Sequence, residues 1–443
     1  MIFKFLKYSS MALLAILAVI HFYLCYTYST NFPFNHDDGV NFLRDFGIYV
    51  DGRISIVEYL IKPKNGCPHA IDRIINYISY VLLGNVNYKF IILLGNMSVI
   101  FVLVTLATIL KLDTYELLIC ALIILVPISY TMIFPTCVGT YYYVFLLYMI
   151  GINLMHKLVF ENRRIYMIPI IALSVLLLFT FCNGFLGTFL LVCILLFYSI
   201  IKKQLKITIL VLATIIISLI IFYYINYVSS TVNPHTRKAS TVKKIISLFE
   251  DGTIVDCINY VFSYVGVLFK YVIADGKLAR TVAFYFGISS FLFSTIVFLK
   301  KLNDFKISLA YFIMIFVLLT AFLSYIARMK MNFWAPRYEN FAMFYCLGFM
   351  LVLLKTLKSY IYNYQLRIVI LVLITFVSYN KFQINLGKLK KMHKQSIERL
   401  ELYKNSGVFK VQKGTGGTGE MKIKMIEKAL EKSVENNFYI IPD

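Results

Sequence analysis

The chain has 443 residues, of which 60% are hydrophobic and 15% charged, and its mean hydropathy is +0.77. Soluble domains are about 45–50% apolar and about 25% charged, so this composition excludes a soluble globular protein. Lys and Arg outnumber Asp and Glu by 44 to 22, but many of the cations lie in short segments between apolar runs. Membrane orientation explains that placement better than nucleic-acid binding, so we expect a multi-pass membrane protein with no nucleic-acid partner.

Apolar runs of transmembrane length recur along the chain. A spanning helix needs roughly 20 apolar residues. The first run follows Lys4 and Lys7 and is not followed by small residues typical of a cleavage site, so we expect a retained first span within residues 1–27. The runs predict an all-α protein with about eleven transmembrane helices; they lie at 10–26, 89–110, 115–134, 141–159, 165–182, 184–201, 207–227, 281–299, 307–327, 339–355 and 367–380.

The charges of the short connections orient these spans. With the N-terminus inside, the inner connections are rich in Lys and Arg and the short outer ones carry none, as the positive-inside rule predicts. The hydrophilic segments then fall outside. The predicted organisation is a first span at 1–27, an outer loop at 28–88, spans at 89–227, a second outer loop at 228–280, spans at 281–380 interrupted by a loop at 328–339, and a soluble basic tail at 381–443.

Both long loops contain helical patterns that are not expected to span. In the first loop, residues 40–61 and 70–83 have apolar residues at helical spacing, which predicts helices along the membrane surface. In the second, residues 254–273 are apolar but interrupted by Asn259 and Lys270. A span there would reverse the orientation of every later loop and oppose their charges. We expect a re-entrant or surface helix.

The first candidate site lies in the first outer loop. Asp37 and Asp38 follow the first span closely, and His69, Asp72 and Arg73 come later in the same loop. One interpretation is a solvated turn with a helix N-cap. The other is chemical, because a carboxylate near cations can deprotonate a hydroxyl while the cations hold a departing phosphate. The spacing of these residues selects no metal, so no cofactor is expected, although a divalent metal stays an alternative.

The second candidate site is the cationic loop before the span at 339–355. Arg328, Lys330, Arg337 and Tyr338 lie on the outer side, where orientation does not require cations. They either anchor the chain in lipid headgroups or form a phosphate clamp, since guanidinium groups match phosphate oxygens in pairs. Charged residues are nearly absent deep inside the predicted spans, which argues against an ion-coupled transporter. The sequence also lacks nucleotide-binding fingerprints.

Taken together, these features resemble the GT-C superfamily of membrane glycosyltransferases. Within that superfamily, the chain is most similar to the serotype-converting O-antigen glucosyltransferases of phages and prophages, which modify lipopolysaccharide. The similarity covers the pattern of spans over most of the chain, and its local motifs occur in the order Asp37-Asp38-Gly39, Pro68-His69 through Arg73, Phe181-Cys182-Asn183-Gly184 and Pro336-Arg337-Tyr338. Gly39 stands where many relatives have an aromatic residue.

The resemblance implies a function in the bacterial inner membrane with an active site facing the periplasm. The donor would be a polyprenyl-phosphate sugar, usually glucose on undecaprenyl phosphate, and the acceptor lipid-linked O-antigen or a similar glycan. A lipid-sugar flippase and a cytoplasmic lipid-sugar synthase would be functional partners. The resemblance also implies a periplasmic tail.

Site roles follow from the same resemblance. Asp37 or Asp38 would be the general base. The donor phosphate would be bound by Arg337, with Arg73 and His69 as helpers and Arg328 and Lys330 nearby, and Tyr338 and Asn183 would contact substrate.

Two alternatives belong to other functional classes. The first is a flippase or transporter of lipid-linked saccharides, although the sequence shows none of the inverted repeats or broken helices typical of transporters. The second is a non-catalytic scaffold of surface-polymer assembly. A scaffold would tolerate changes at Asp37, Asp38 and Arg337.

Overall fold

The computed structural model of the chain is built from helices. It describes residues 2–32, 37–62, 68–126, 138–180, 182–232, 241–327, 339–357, 364–407 and 420–441, and these ranges contain no β-strand. The helices are α1 Ile2–Tyr28, α2 Asp37–Val50, α3 Ile56–Ile61, α4 Ala70–Leu83, α5 Tyr88–Leu110, α6 Thr114–Ile124, α7 Val138–Phe160, α8 Met167–Thr180, α9 Cys182–Ile201, α10 Leu205–Val232, α11 Thr241–Glu250, α12 Ile254–Val265, α13 Gly276–Lys300, α14 Phe305–Ala327, α15 Glu339–Thr356, α16 Tyr364–Ser406 and α17 Glu420–Glu435.

Eight helices of the described residues are long and apolar enough to cross a membrane: α1, α5, α7, α9, α13, α14, α15 and α16. The predicted class, an α-helical membrane protein, is therefore confirmed. Nine of the eleven predicted apolar runs fall within a helix, including 207–227 in α10; the runs at 115–134 and 165–182 overlap α6 and α8 and include residues that the structure does not describe. Helices are the expected form, since hydrocarbon leaves backbone N–H and C=O groups no partner except one another.

The two ends of the helix bundle are distinguished by polar contacts at the ends of its helices. At one end, Arg367 lies 4.0 Å from Asp113 and Lys355 lies 3.6 Å from Asp304. At the other end, His393 Nδ1 lies 3.1 Å from the backbone oxygen of Tyr28, where α1 ends. We call the end at which α1 ends the loop side, because helices α2 to α4 follow it directly.

The apolar stretch of the second long loop forms a short helix. Helix α12 has 12 residues, about 18 Å, and a 3₁₀ turn, Val267–Tyr271, follows it before α13 begins. It packs closely on α13: a Cβ built on Gly287 would lie 2.3 Å from the backbone oxygen of Phe262. A helix of this length is too short for a hydrocarbon layer of about 30 Å.

Helix α16 continues well past the bilayer. Its 43 residues extend about 64 Å, roughly twice the hydrocarbon thickness. The expected start of a soluble tail at Lys381 is not a break in the structure, since Lys381 is buried within this continuous helix. The segment looked soluble because Lys residues become frequent there, but Leu389 and Leu400 still give the helix a buried face.

The end of α16 and the tail join the first loop in a second hydrophobic core. We call this assembly of α2, α3, α4, α17 and the end of α16 the extramembrane unit. Its core contains Phe46, Tyr59, Leu430, Phe438 and Tyr439. The Phe438 ring packs on Gly47, which leaves room for it, and the Phe438 backbone oxygen accepts a hydrogen bond from Val86 N at 2.8 Å.

Local signals shape the helices of this unit. Ser55 and Glu58 form a capping box at the start of α3, with each side chain bonded to the other residue's backbone N–H. Helix α4 ends at Gly84, whose φ of 71° lies in the left-handed region that favours glycine. The chain then turns directly into α5. The first loop thus folds back on itself rather than lying as separate surface helices.

Phe438→Ala should release α17 from the extramembrane unit. Phe438 is 2% exposed, and truncation of a buried Phe costs about 3–5 kcal/mol. Hydrogen exchange of the α17 amides should accelerate markedly. Ile440→Ala is the matched control, because Ile440 is 57% exposed, and unchanged α17 protection in both variants would contradict this packing.

Candidate functional site

The first buried ionic cluster lies inside the extramembrane unit, and we call it the loop cluster. Arg73, on α4, is fully buried, and its Nη2 donates to Asp45 Oδ2 of α2 at 3.0 Å. Its other terminal nitrogen donates to the backbone oxygen of Tyr59. The guanidinium carbon also lies 5.6 Å from the centre of the Phe42 ring and 5.2 Å from that of Tyr59. Arg73 therefore connects α2, α3 and α4.

Asp45 is the anion on which this cluster depends. Besides Arg73, it accepts a hydrogen bond from Lys62 Nζ at 2.9 Å and one from Arg44 at 3.3 Å. Burial lowers the pKa of the Arg73 guanidinium, and the Asp45 carboxylate opposes that shift. Arginine nevertheless stays charged in proteins, so removal of Asp45 would leave the buried Arg73 without its counterion.

His69 belongs to the same region but pairs with a different carboxylate. Its Nδ1 lies 3.0 Å from Asp72 Oδ2, and its ring packs edge-on against Phe42 at 5.5 Å. His69 is also the N-cap residue of α4. The two terminal nitrogens of Arg73 and Nδ1 of His69 already contact protein groups, and these contacts position the loop helices. Their predicted contact with a donor phosphate stays a prediction.

The loop cluster is joined through α2 to the predicted acidic pair. Asp37 and Asp38 are the first two residues of α2, and Asp45 lies two turns later on the same helix. Their side chains lie outside the described part of the structure. The buried pair of Asp45 and Arg73 therefore fixes the helix whose N-terminus carries the acidic pair.

The second buried cluster lies at the start of α15, and we call it the interface cluster. Glu339, 3% exposed, forms an ion pair with Lys270 and accepts a hydrogen bond of 2.5 Å from the Tyr271 hydroxyl. Burial lowers the pKa of Lys270, and the Glu339 carboxylate opposes the shift. Glu339 is the first residue of α15, and its side chain thereby joins α15 to the 3₁₀ turn that follows α12.

Lys381 adds a second cation to the interface cluster. Its side chain is completely buried, and its Nζ lies 5.5 Å above the Tyr271 ring without a hydrogen-bond partner among the described residues. It follows Arg367 by fourteen residues, about 21 Å along α16, which places it in the loop-side half of the membrane. Lys270 and Lys381 against Glu339 leave one positive charge in excess.

An apolar cavity of about 240 Å³ lies beside the interface cluster. Its wall includes Phe269, which directly precedes Lys270, and Val377, one helical turn before Lys381. At its rim, Val272 and Leu373 are 44% and 59% exposed on the outside of the bundle. The cavity wall thus runs from the outside of the bundle to within one helical turn of the buried Lys381, which is not among its lining residues.

The remaining predicted site residues are placed as follows. Arg328, Lys330, Arg337 and Tyr338 lie outside the described residues, and Glu339 follows them immediately. Asn183 is half-buried in the first turn of α9. Gly184 beside it packs against α8, since an added Cβ would lie 1.7 Å from the backbone oxygen of Leu177.

The sequence did not single out the members of the interface cluster. Lys270 was noticed only as an interruption of an apolar stretch, and Lys381 as the start of the tail. Their partner Glu339 lies 69 residues from Lys270, so the spacing along the chain does not reveal the cluster. The sequence feature that pointed to this cluster was the single lysine, Lys270, near the end of an apolar run.

Comparison of the chain with models of protein families, with curated proteins and with solved structures gives no match in any of the three. Within the described residues, no group of three or more His, Cys, Asp or Glu side chains is arranged to hold a metal ion.

Arg73→Met should destabilise the extramembrane unit by about 3–5 kcal/mol, because it removes the fully buried cation that pairs with the Asp45 carboxylate. Hydrogen exchange of the α2 to α4 amides measures the loss. Arg53→Met is the control: Arg53 is 57% exposed and pairs with Asp51 at the surface, where a pair contributes about 0–1 kcal/mol. Equal protection in the two variants would refute the assigned role of Arg73.

Proposed function

We propose that this chain is a glycosyltransferase of about eleven spans that takes a sugar from a polyprenyl-phosphate carrier. The observation that carries the proposal is the apolar cavity near the buried Lys381, whose ammonium has no hydrogen-bond partner among the described residues. A carrier lipid has the two matching parts, a hydrocarbon chain and a phosphate. The acceptor is lipid-linked O-antigen or a similar surface glycan, and transfer takes place on the periplasmic face of the inner membrane.

The excess charge of the interface cluster supports an anionic ligand. A cation inside a membrane protein is costly unless it is paired, and such residues mark functional sites by default. Glu339 neutralises one of the two lysines, and the adjoining sequence adds Arg328, Lys330 and Arg337. A phosphate bound there would be shared by Lys381 and the arginines, which suit phosphate oxygens through paired hydrogen bonds.

The open rim of the cavity supports a lipid ligand. Val272 and Leu373 are exposed on the surface that faces lipid chains. A carrier lipid can therefore slide into the cavity sideways, with its chain between the 3₁₀ turn, α15 and α16. Its phosphate then stays at the depth of Lys381.

The acidic pair supplies the chemistry in this proposal. Asp37 or Asp38 removes the proton from the acceptor hydroxyl as its oxygen attacks the anomeric carbon. The bond from that carbon to the lipid phosphate breaks, and the phosphate leaves with both bonding electrons, stabilised by Arg337 and Lys381. A single displacement of this kind inverts the anomeric configuration. Asp45 and Arg73 position α2, which carries the pair.

The test is sugar transfer in proteoliposomes, with undecaprenyl-phosphate glucose as donor and lipid-linked O-antigen as acceptor. A general base contributes about 10² to 10⁴-fold, so Asp37→Asn or Asp38→Asn should reduce turnover by that factor with donor affinity retained. Lys381→Met and Arg337→Ala should instead weaken donor binding. Lys390→Met, at an exposed position of the same helix, is the control. Full transfer by both Asp variants would exclude the acidic pair as the base.

A flippase for lipid-linked saccharides is the second candidate, and Lys381 is the observation that favours it. A buried cation inside a membrane helix is typical of transporters as well as of enzymes. The same proteoliposomes distinguish the two functions. Movement of the lipid-linked saccharide across the bilayer without a hexose mass gain would support the flippase.

A further inference from the structure

The extramembrane unit also contains a groove. Its lining residues differ from those of the interface cluster and lie far from them in the sequence. Its volume is about 230 Å³, and it lies between α2 with its following turn and α17. The tail therefore supplies one of its two walls. Its polar lining comprises Arg44, Asp51, Arg53, Lys428, Lys432 and Asn436.

The lining of this groove has an excess of positive charge. Four of its residues are cations, and Asp51 is the one carboxylate among them. Asp51 is already engaged, because it pairs with Arg53 at 2.5 Å and accepts a hydrogen bond from Asn436 Nδ2 at 3.2 Å. Arg44 in turn lies 3.3 Å from Asp45, which is not part of the lining. The lining cations without a carboxylate partner among the described residues are therefore Lys428 and Lys432.

Two of these cations lie on one face of α17. Lys428 and Lys432 are one helical turn apart, both are exposed, and neither forms an ion pair with a carboxylate of the described residues. Like charges at this spacing destabilise a helix. An anion bound between α17 and α2 would remove that repulsion.

We propose that this groove binds an anionic saccharide unit, one that carries a carboxylate or a phosphate, of the acceptor glycan. The proposal rests on the proposed function and deepens it, since it assigns the acceptor a negative charge. The guanidinium groups of Arg44 and Arg53 suit either oxyanion. Because the groove is lined by extramembrane helices rather than by spanning ones, a glycan fits its position better than a lipid headgroup.

The test measures binding by the full-length protein in neutral nanodiscs, without any transfer reaction. The probes are a short oligogalacturonate for the carboxylate, glucose 6-phosphate for the phosphate and a malto-oligosaccharide of matched length as the neutral sugar. We expect one of the anionic probes to bind and the neutral one not to bind. Affinity should fall as salt is raised, because exposed charges are screened.

The double variant Lys428→Gln with Lys432→Gln should weaken that binding at least tenfold. The control is Lys390→Gln with Lys394→Gln, two exposed lysines with the same spacing on α16, which should leave binding unchanged. Equal loss in both double variants, binding of the neutral sugar, or selective binding of anionic phospholipid vesicles over both anionic sugars would overturn the proposal. If the protein binds the anionic probe but transfers no sugar, the proposal for the groove stands and only the proposed function is refuted.

Discussion

The cost of burying a charge in a place without water governs the organisation of this protein. A buried ion is tolerated when a partner of opposite sign and well-placed hydrogen bonds replace its hydration. Asp45 meets that need for Arg73 and thereby joins three helices of the first loop. Glu339 does so for Lys270 and joins the 3₁₀ turn to α15. Both candidate sites are therefore assembled around one carboxylate each.

The extramembrane unit draws on both ends of the chain. Helix α2 follows the first span, while α17 lies near the C-terminus, and Phe438 and Tyr439 complete their shared core. The Tyr439 hydroxyl donates to the backbone oxygen of Asn31 at 2.5 Å, so the tail also fixes the exit from α1. Long α16 makes this possible because it carries the chain out of the membrane as one rigid element. The helix that begins with the acidic pair is consequently braced at its far end by the tail.

Local properties of the sequence were sufficient to predict the helices but not their partners. The apolar runs form helices over most of their described residues because hydrocarbon leaves the backbone groups no partner except one another. Arg73 and His69 were recognised as charged residues of interest, yet their engagement by Asp45 and Asp72 depends on tertiary packing. Lys381 appeared to begin a soluble tail because its neighbours are cationic. Its burial results from contact with elements more than a hundred residues away, including the turn at Tyr271.

In the compensation of its charge, Lys381 differs from two cations at the opposite end of the bundle. Away from the loop side, Arg367 and Lys355 each have an acidic partner, Asp113 and Asp304. Lys381 instead has no hydrogen-bond partner among the described residues. Orientation in the membrane accounts for cations at only one end, so those of the loop side need a separate cause. A charge that is costly to bury is retained when it serves a ligand. In the proposed function, a lipid phosphate would supply the partner that Lys381 lacks among the described residues.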